Sequence, residues 1–592
     1  MSSDARRPER PEHPEHPENT ARDVRPQGRG AADSAGQPLP SQGKLWQRLT
    51  RDTAAFTTAL HAWDGDTYRE IPWPRLVRDA EAMTAGLRAA GVRPGTTVAS
   101  VLTNSAATVR GLLAVWLAGG AVASLPVPVR GMSAEEYQGR LRAICGQLRP
   151  PVLLVEERMR TLLPEHLGSG TRVRAWEEMD GTGRIDPAPP GDDELAFVQY
   201  SSGSTSAPKG CMLSTRAITA QLELLGELID PRPGRDVTVG WLPLSHDMGM
   251  FGILLTTWWG GADLYLSTPE RFMFAPGTWF SDMAAAGGTL TAGTPTGLFL
   301  AARSASRAPR LGDGLRARVC IVGAERVEER ALRYAVDVLG PYGFREEALM
   351  PAYGLAEATL AVTATRRDEA PRAVTVDPTA LAAGELVEAD PAQPDATRLV
   401  SAGAPCAGVE LPAPGTSAVG EITVRSPSLS HGYLGDPDGT ADRFAGGVLH
   451  TGDLGFVRDG HLYPVGRADD VISLAGRKVY ASEIESAIDT LEGVRRGCST
   501  LIGHHEGTAM RFTLFLEPRG RDLDFEALAR SAADLAMRRA AVGLDTCVFL
   551  RRGALPKTPT GKIQRHRCRQ LFDSGGFEPL ATVELAPAGG PS

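Results

Sequence analysis

Residues 200–210 read YSSGSTSAPKG, from Tyr200 to Gly210, and the rest of the chain is read outward from them. The preceding run, LAFVQ, is apolar and short, as a buried strand is, and a proline and a lysine close the stretch. Gly203 has no Cβ, so a turn there can bring backbone N–H groups close to an anion. Ser201, Ser202, Ser204, Thr205 and Ser206 supply hydroxyl donors, and Lys209 supplies a fixed charge. Such a loop suits a polyphosphate. A plain polar surface loop is the commoner fate of Ser/Gly clusters. Five hydroxyls between Tyr200 and Pro-Lys-Gly argue against it here.

Two other chemistries compete for the same residues. A Walker-type loop ends in Gly-Lys-Ser/Thr, whereas Lys209 is followed by Gly210 and Cys211, so that reading fails. A Ser/Lys hydrolase also uses serine-rich loops and a lysine. It leaves the motifs further along the chain unexplained.

The 592 residues are too many for one ordinary core, so two or more domains are expected. A hydrophobic fraction of 42% and a net charge of -8 describe a mildly acidic globular chain without the basic character of a nucleic-acid binder. Seven scattered cysteines with no Cys-x-x-Cys fit reduced thiols in a cytoplasm and suggest no metal site. No apolar run is long enough for a membrane span, and no signal core precedes the first ordered segment. Residues 1–42, rich in Pro, Arg, Glu and Gly, are expected to be a disordered tail; His13 and His16 there read as solvated.

From Leu45 to about residue 330, short apolar runs alternate with helical patterns, pointing to α/β layers with largely parallel sheets. Strands are expected at 98–102, 152–155, 195–200, 237–241, 289–292 and 319–322. Ser133-x-x-Glu136 reads as a capping box ahead of a helix with Tyr137, Leu141, Ile144 and Leu148 on one face. After the fourth strand comes SHDMG, with His246 and Asp247; taken alone, a structural histidine and a cap explain them. Tyr353 and Gly354 offer a flat ring on a turn, and Glu357 a carboxylate for a cation, although Tyr-Gly is common in loops.

Residues of about 365–400 change character and read as an insertion with one short helix. A β-rich section follows, with Asp453 expected in a tight turn after a strand and Asp459-Gly460 marking a hairpin. From about 470 a smaller α+β domain is expected, with Ser482-x-x-Glu485 capping a helix and Lys562 on a Gly-Lys turn. Residues 576–592 read as a loose tail.

Together, YSSGSTSAPKG, WLPLSHDMG, AYGLAEATL, TGDLGFV, GRADDVISLAGRKVYASEIE and LPKTPTGKI, in that order, resemble the adenylate-forming superfamily of acyl-CoA synthetases, peptide-synthetase adenylation domains and luciferases. WLPLSHDMG, VGAERV, YGLAEATL and the long interval from Tyr353 to Gly403 are most similar to its fatty acyl-AMP ligase branch.

The resemblance implies a large N-terminal domain of αβ layers with a β-rich subdomain over 43–468. A hinge at Asp469 would join it to a small mobile domain over 469–572, with a tail over 573–592. It implies that a carboxylic acid is activated with Mg2+ and ATP to acyl-AMP. The acyl group then passes to the thiol of coenzyme A or of a phosphopantetheinyl carrier protein. Ser202, Gly203, Ser204, Thr205, Ser206 and Lys209 would hold the phosphates, and Glu357 the Mg2+. Tyr353, on the turn with Gly354, would stack on adenine beside Gly323, Ala324 and Glu325. Asp453 would accept the ribose hydroxyls, with Arg467 and Lys478 assisting. Lys562 would bridge the carboxylate and the α-phosphate, His246 would line the acyl site and Gly476 the thiol tunnel.

Three departures from the family pattern stand out. Ser206 replaces the usual second glycine of the loop, GRKVYASEIE is closer to the CoA-ligase form, and Ala356 stands where many relatives carry Thr. They keep two alternatives open: a ligase impaired in adenylation that mainly uses preformed acyl-AMP, and an inactive acyl-AMP-binding homologue.

Overall fold

The structure, a computed structural model, describes residues 43–585 apart from 129–132, 169, 201–208, 308–310, 312–313, 394–395, 416–417, 475–476, 507–508, 521–522, 541 and 558–562. Two large, mostly parallel sheets carry the first half of the chain. In one, five parallel strands, among them Thr97–Val101, Val152–Val155 and Leu195–Tyr200, are flanked by the antiparallel His166–Leu167 and Gly210–Ser214. In the other, six parallel strands include Val237–Gly240, Leu290–Gly293, Val319–Val322 and Leu349–Gly354. The α/β class expected from the alternating pattern is the one found.

Helices between the strands bury their apolar stripes against the sheets. Trp73–Ala89 starts with a proline in its first turn and presents Trp73, Leu76, Val77, Ala80, Met83 and Leu87 at helical spacing to the interior. Of these, Leu76, Val77, Met83 and Leu87 each contribute about 1.5–3 kcal/mol of burial. Trp73 stacks on Trp258 with centroids 4.7 Å apart, and Trp241 on Phe272 at 3.6 Å. All nine tryptophans lie between Trp46 and Trp279, seven of them in the interior of this half of the molecule.

A five-stranded antiparallel sheet follows, containing Gly420–Arg425, Val448–Arg458 and His461–Arg467. Asp459 (φ 50°) and Gly460 (φ 75°) make the expected hairpin. Asp453, expected in a turn, instead lies inside the continuous strand Val448–Arg458. Gly452 adopts φ 69° there, and against Gly420–Arg425 the register shifts between His450 and Leu454, so the glycine marks a bulge, not a strand end.

Residues 365–400 form the strand pair Ala373–Val376 and Thr397–Val400 with the helix Pro378–Ala383. Val376, Leu381 and Leu399 share an apolar cluster with Phe456, Tyr463 and Tyr480. Beyond the turn Ala468–Asp470, a second core gathers Ile484, Ile488, Leu514, Leu516, Ala529, Ala532 and Phe549. It lies on a sheet of four strands, Val494–Glu506, Ala509–Pro518, Thr546–Leu550 and Pro579–Glu584.

Two expectations fail in this part. Pro579–Glu584, read as tail, pairs antiparallel with Thr546–Leu550 and packs Ala581 and Val583 on the core. The helix Ala481–Ile488 begins with Tyr480 at its N-cap, so Ser482 sits inside the first turn and provides no cap. Its Glu485 carboxylate turns to the Leu501 N–H (2.7 Å) and to both terminal guanidinium nitrogens of Arg565.

Candidate active site

Open α/β sheets bind ligands outside the carboxyl ends of their strands, and Tyr353 and Gly354 end one such parallel strand, Leu349–Gly354. After Leu349–Gly354 the chain turns so tightly that a Cβ on Gly354 would lie 1.8 Å from the Leu360 carbonyl oxygen, a position only glycine can occupy. The same turn holds Thr359 at φ 66°, stabilised where its hydroxyl donates to the Ser428 carbonyl (2.7 Å). This strained loop presents Tyr353 and Glu357.

Tyr353 donates its phenol to Asp453 Oδ2 at 2.7 Å, and Arg467 Nε lies 3.2 Å from Asp453 Oδ1. Asp453 and Arg467 are directly opposite in the paired strands, so register fixes the ion pair. Burial, followed by the Asp453 carboxylate, pushes the Tyr353 phenol well up, and it stays a neutral donor. The result is a carboxylate held rigid beside an aromatic ring, able to accept two hydroxyls of a diol.

Glu357 Oε1 accepts from the Tyr433 phenol at 2.8 Å. Lys209 Nζ stands 4.7 Å over the Tyr433 ring and 3.5 Å from Asp436 Oδ2. Burial, then Glu357, raises the Tyr433 phenol. Cys211 behind it is buried, and burial together with Glu357 and Asp247 holds its thiol protonated. Tyr433 and Asp436 escaped the sequence reading. They lie more than two hundred residues from Lys209, and SHGYLGD carries no local signature of a site.

His246 Nδ1 donates to Asp247 Oδ1 at 2.6 Å, and the Met248 N–H reaches the same oxygen at 2.7 Å. Burial works to raise the Asp247 carboxyl, but the His246 charge and these two hydrogen bonds outweigh it and hold it below the usual range. Gly323 and Ala324 follow Val319–Val322, with Ala324 at φ 65°. The Glu325 carboxylate accepts from Thr296 N at 3.2 Å, at the start of the helix Pro295–Ala305.

Contacts thus join Tyr353 to Asp453 and Arg467, and bring Glu357, Lys209 and Asp436 around Tyr433, the two groups meeting at the turn that carries both Tyr353 and Glu357. Asp469 belongs to the turn Ala468–Asp470, and the Lys478 backbone pairs with Ser473 in the strand Arg477–Tyr480. Ser202, Gly203, Ser204, Thr205, Ser206, Gly476 and Lys562 lie outside the described residues.

No cluster of three or more His, Cys, Asp or Glu suited to a metal occurs among the described residues. A lone carboxylate such as Glu357 still fits Mg2+, which commonly takes one or two protein carboxylates and completes its shell with phosphates and water. No helix among the described residues is long and apolar enough to cross a membrane.

The family profile described as AMP-binding enzyme matches residues 46–434. A Mycobacterium tuberculosis protein named as a ligase is 31% identical over 502 residues, covering 81% of this chain and 90% of the relative. JamA of Moorena producens, named a medium-chain-fatty-acid–[acyl-carrier-protein] ligase, is 30% identical over 416 residues, 65% of this chain and 69% of its own. A solved structure from a study of fatty acyl-adenylate ligases of E. coli and L. pneumophila superposes with a TM-score of 0.83 at 24% identity. It covers 90% of this chain and 98% of that one, and shows the fold.

Proposed function

Because the chain belongs to the AMP-binding enzyme family, we propose that it activates a fatty or similarly apolar carboxylic acid with ATP as acyl-AMP and passes the acyl group to the thiol of coenzyme A or a carrier protein. The observation that carries this reading is the Asp453 carboxylate, fixed between the Tyr353 phenol and Arg467 where a ribose diol would bind.

In this reading the substrate carboxylate attacks the α-phosphorus of ATP in line, and pyrophosphate leaves. Tyr353 stacks on adenine, Asp453 accepts the ribose hydroxyls, and Lys209 with the 202–206 loop holds the leaving phosphates. Glu357, oriented by Tyr433, would hold Mg2+, which when bound neutralises phosphate charge. Lys562 stabilises the charge that grows on the oxygens between the two reactants. His246 lines the acyl side, its Nδ1 engaged with Asp247. In the second half-reaction the thiol attacks the acyl carbonyl and AMP leaves. Residues 469–572 would turn about Asp469 between the halves, with Gly476 letting the pantetheine arm pass.

One assay series tests the reading: ATP–pyrophosphate exchange over a panel of acids, then thioester formation with CoA and with a holo carrier protein. Exchange stimulated by fatty acids is expected; its absence with every acid would end the proposal.

Asp453→Asn removes the charge that both the diol and Arg467 use. A hydrogen bond to a charged group is worth about 1.5–3 kcal/mol, so ATP affinity should fall roughly 10–150-fold. Calorimetric titration with ATP checks it, and unchanged affinity would place the nucleotide elsewhere.

Ser206→Gly tests the departure in the loop. If the family glycine's position takes a positive φ, a Cβ there costs on the order of 1–2 kcal/mol, about tenfold in ATP binding, and the glycine variant gains exchange activity with thioester formation unchanged. A loss of exchange would show the Ser206 hydroxyl to be a phosphate ligand.

A further inference from the structure

We infer that Tyr433 is the positioning residue that keeps the phosphate-binding and cation-binding charges of the site apart. The inference rests on the proposed function and adds how two opposite charges in one site stay available to their ligands.

Lys209 and Glu357 are both half-buried and approach the same side chain. Away from bulk water an ammonium and a carboxylate attract strongly, and once paired neither is free for a ligand. They do not pair here. Among the described residues, the carboxylate within ion-pair distance of Lys209 is that of Asp436, at 3.5 Å. Glu357 instead accepts the Tyr433 hydroxyl at 2.8 Å, while Lys209 Nζ lies over the ring face, 4.7 Å from its centroid. A phenol carries a donor at one end and a negative π face across its plane, so one side chain answers both charges.

The ring is held where it stands. Tyr433 is 4% exposed and packs edge-on against Phe444, with centroids 5.9 Å apart. Its N–H donates to Thr440 Oγ1 at 2.9 Å, and its backbone bridges antiparallel to Cys211. On either side, the Met212 N–H donates to the Gly432 carbonyl (2.9 Å) and the Leu434 N–H to the Gly210 carbonyl (2.8 Å). These bonds tie the segment to Gly210–Ser214, the strand that follows Lys209.

The other end of the segment is tied to the Glu357 turn. The Ser430 N–H donates to the Glu357 carbonyl at 2.8 Å, and the Ser428 hydroxyl to the Ala358 carbonyl at 3.1 Å. Residues 428–436 therefore strap the strand after Lys209 to the turn of Glu357, and Tyr433 is the side chain set between the two charges. A tyrosine needed for packing alone would have no use for its hydroxyl.

The test uses the full-length enzyme and two binding measurements. One is calorimetric titration with ATP in EDTA; the other is Mn2+ titration of the ATP complex followed by electron paramagnetic resonance. Tyr433→Phe keeps the ring and removes the hydroxyl. Its metal-free ATP affinity should stay near wild type, while Mn2+ affinity should fall about 10–100-fold, the usual effect of losing a partner behind a metal ligand. Tyr433→Leu removes the spacer and lets Lys209 and Glu357 close on each other, so metal-free ATP affinity should fall about tenfold or more. Adding Glu357→Gln frees Lys209 again. Its gain in metal-free ATP affinity should be several-fold larger in the Tyr433→Leu background than alone, which a merely structural tyrosine would not produce. Equal gains in the two backgrounds overturn the inference, and so does wild-type Mn2+ affinity in Tyr433→Phe. If Tyr433→Leu does not fold, the Mn2+ titration of Tyr433→Phe decides alone. A wild-type enzyme that binds no ATP fails one step earlier, at the proposed function.

Discussion

Replacing Lys562 with alanine is expected to lower ATP–pyrophosphate exchange about 10²–10³-fold while leaving thioester formation from preformed acyl-AMP nearly unchanged. Lys562 lies outside the described residues, but the base of its loop is well defined. Lys557 and Ile563 are bridged antiparallel, and the Gln564 N–H donates to the Pro556 carbonyl at 2.9 Å. In the role proposed for it, the Lys562 cation meets charge that appears only during attack on the α-phosphorus, so its loss falls on the adenylation barrier. About 3–4 kcal/mol is at stake. If both half-reactions decline together, Lys562 has a structural task and the role assigned to it is wrong.

Arg565→Ala is expected to destabilise residues 479–583 by about 3–5 kcal/mol, the usual effect of removing one partner from a buried ion pair. Arg565 binds both carboxylate oxygens of Glu485, and its Nε lies 3.5 Å from Asp470 Oδ2. Burial alone would lower the guanidinium pKa, but Glu485 and Asp470 raise it overall, so the group is fixed as a cation. Three pieces meet at this one side chain: the turn containing Asp469, the helix Ala481–Ile488, and the helix Arg565–Asp573 that Arg565 itself begins.

Alanine leaves the Glu485 charge buried with only the Leu501 N–H for company. A double exchange, Arg565→Met with Glu485→Met, removes both charges and should restore most of the stability. Hydrogen exchange of the amides in Val494–Glu506 and Ala509–Pro518 reads both variants. Unaltered protection in Arg565→Ala would show that the pair contributes little.

Where a signal was local and repeated, the sequence could be read closely. Val152–Val155, Leu195–Tyr200 and Val319–Val322 match their expected bounds residue for residue, because each is an apolar run between turn residues. The site was read as motifs, and contacts bring Tyr353 to Asp453 and Arg467, and Glu357 and Lys209 to Tyr433. What was not legible depended on distant partners. The Thr-Gly-Asp of 451–453 looked like a turn because a bulge glycine and a turn glycine are the same residue, and only the pairing with Gly420–Arg425 tells them apart. Ser482-x-x-Glu485 looked like a cap until Arg565, eighty positions later, claimed the carboxylate. Tyr433 and Asp436 give no sign of their role until the fold sets them against Glu357 and Lys209.

The placement of the tryptophans makes the molecule half-silent to light. Every indole lies between Trp46 and Trp279, seven of them buried in the interior shared by the two parallel sheets, and residues 280–592 contain none. Intrinsic emission excited near the red edge of indole absorption therefore follows the melting of the first half alone. The sheet of Val494–Glu506, Ala509–Pro518, Thr546–Leu550 and Pro579–Glu584 can open without changing that emission, while its loss remains visible to far-ultraviolet circular dichroism. A gap between the two melting curves of one sample then measures how independently the C-terminal core unfolds, with no label introduced.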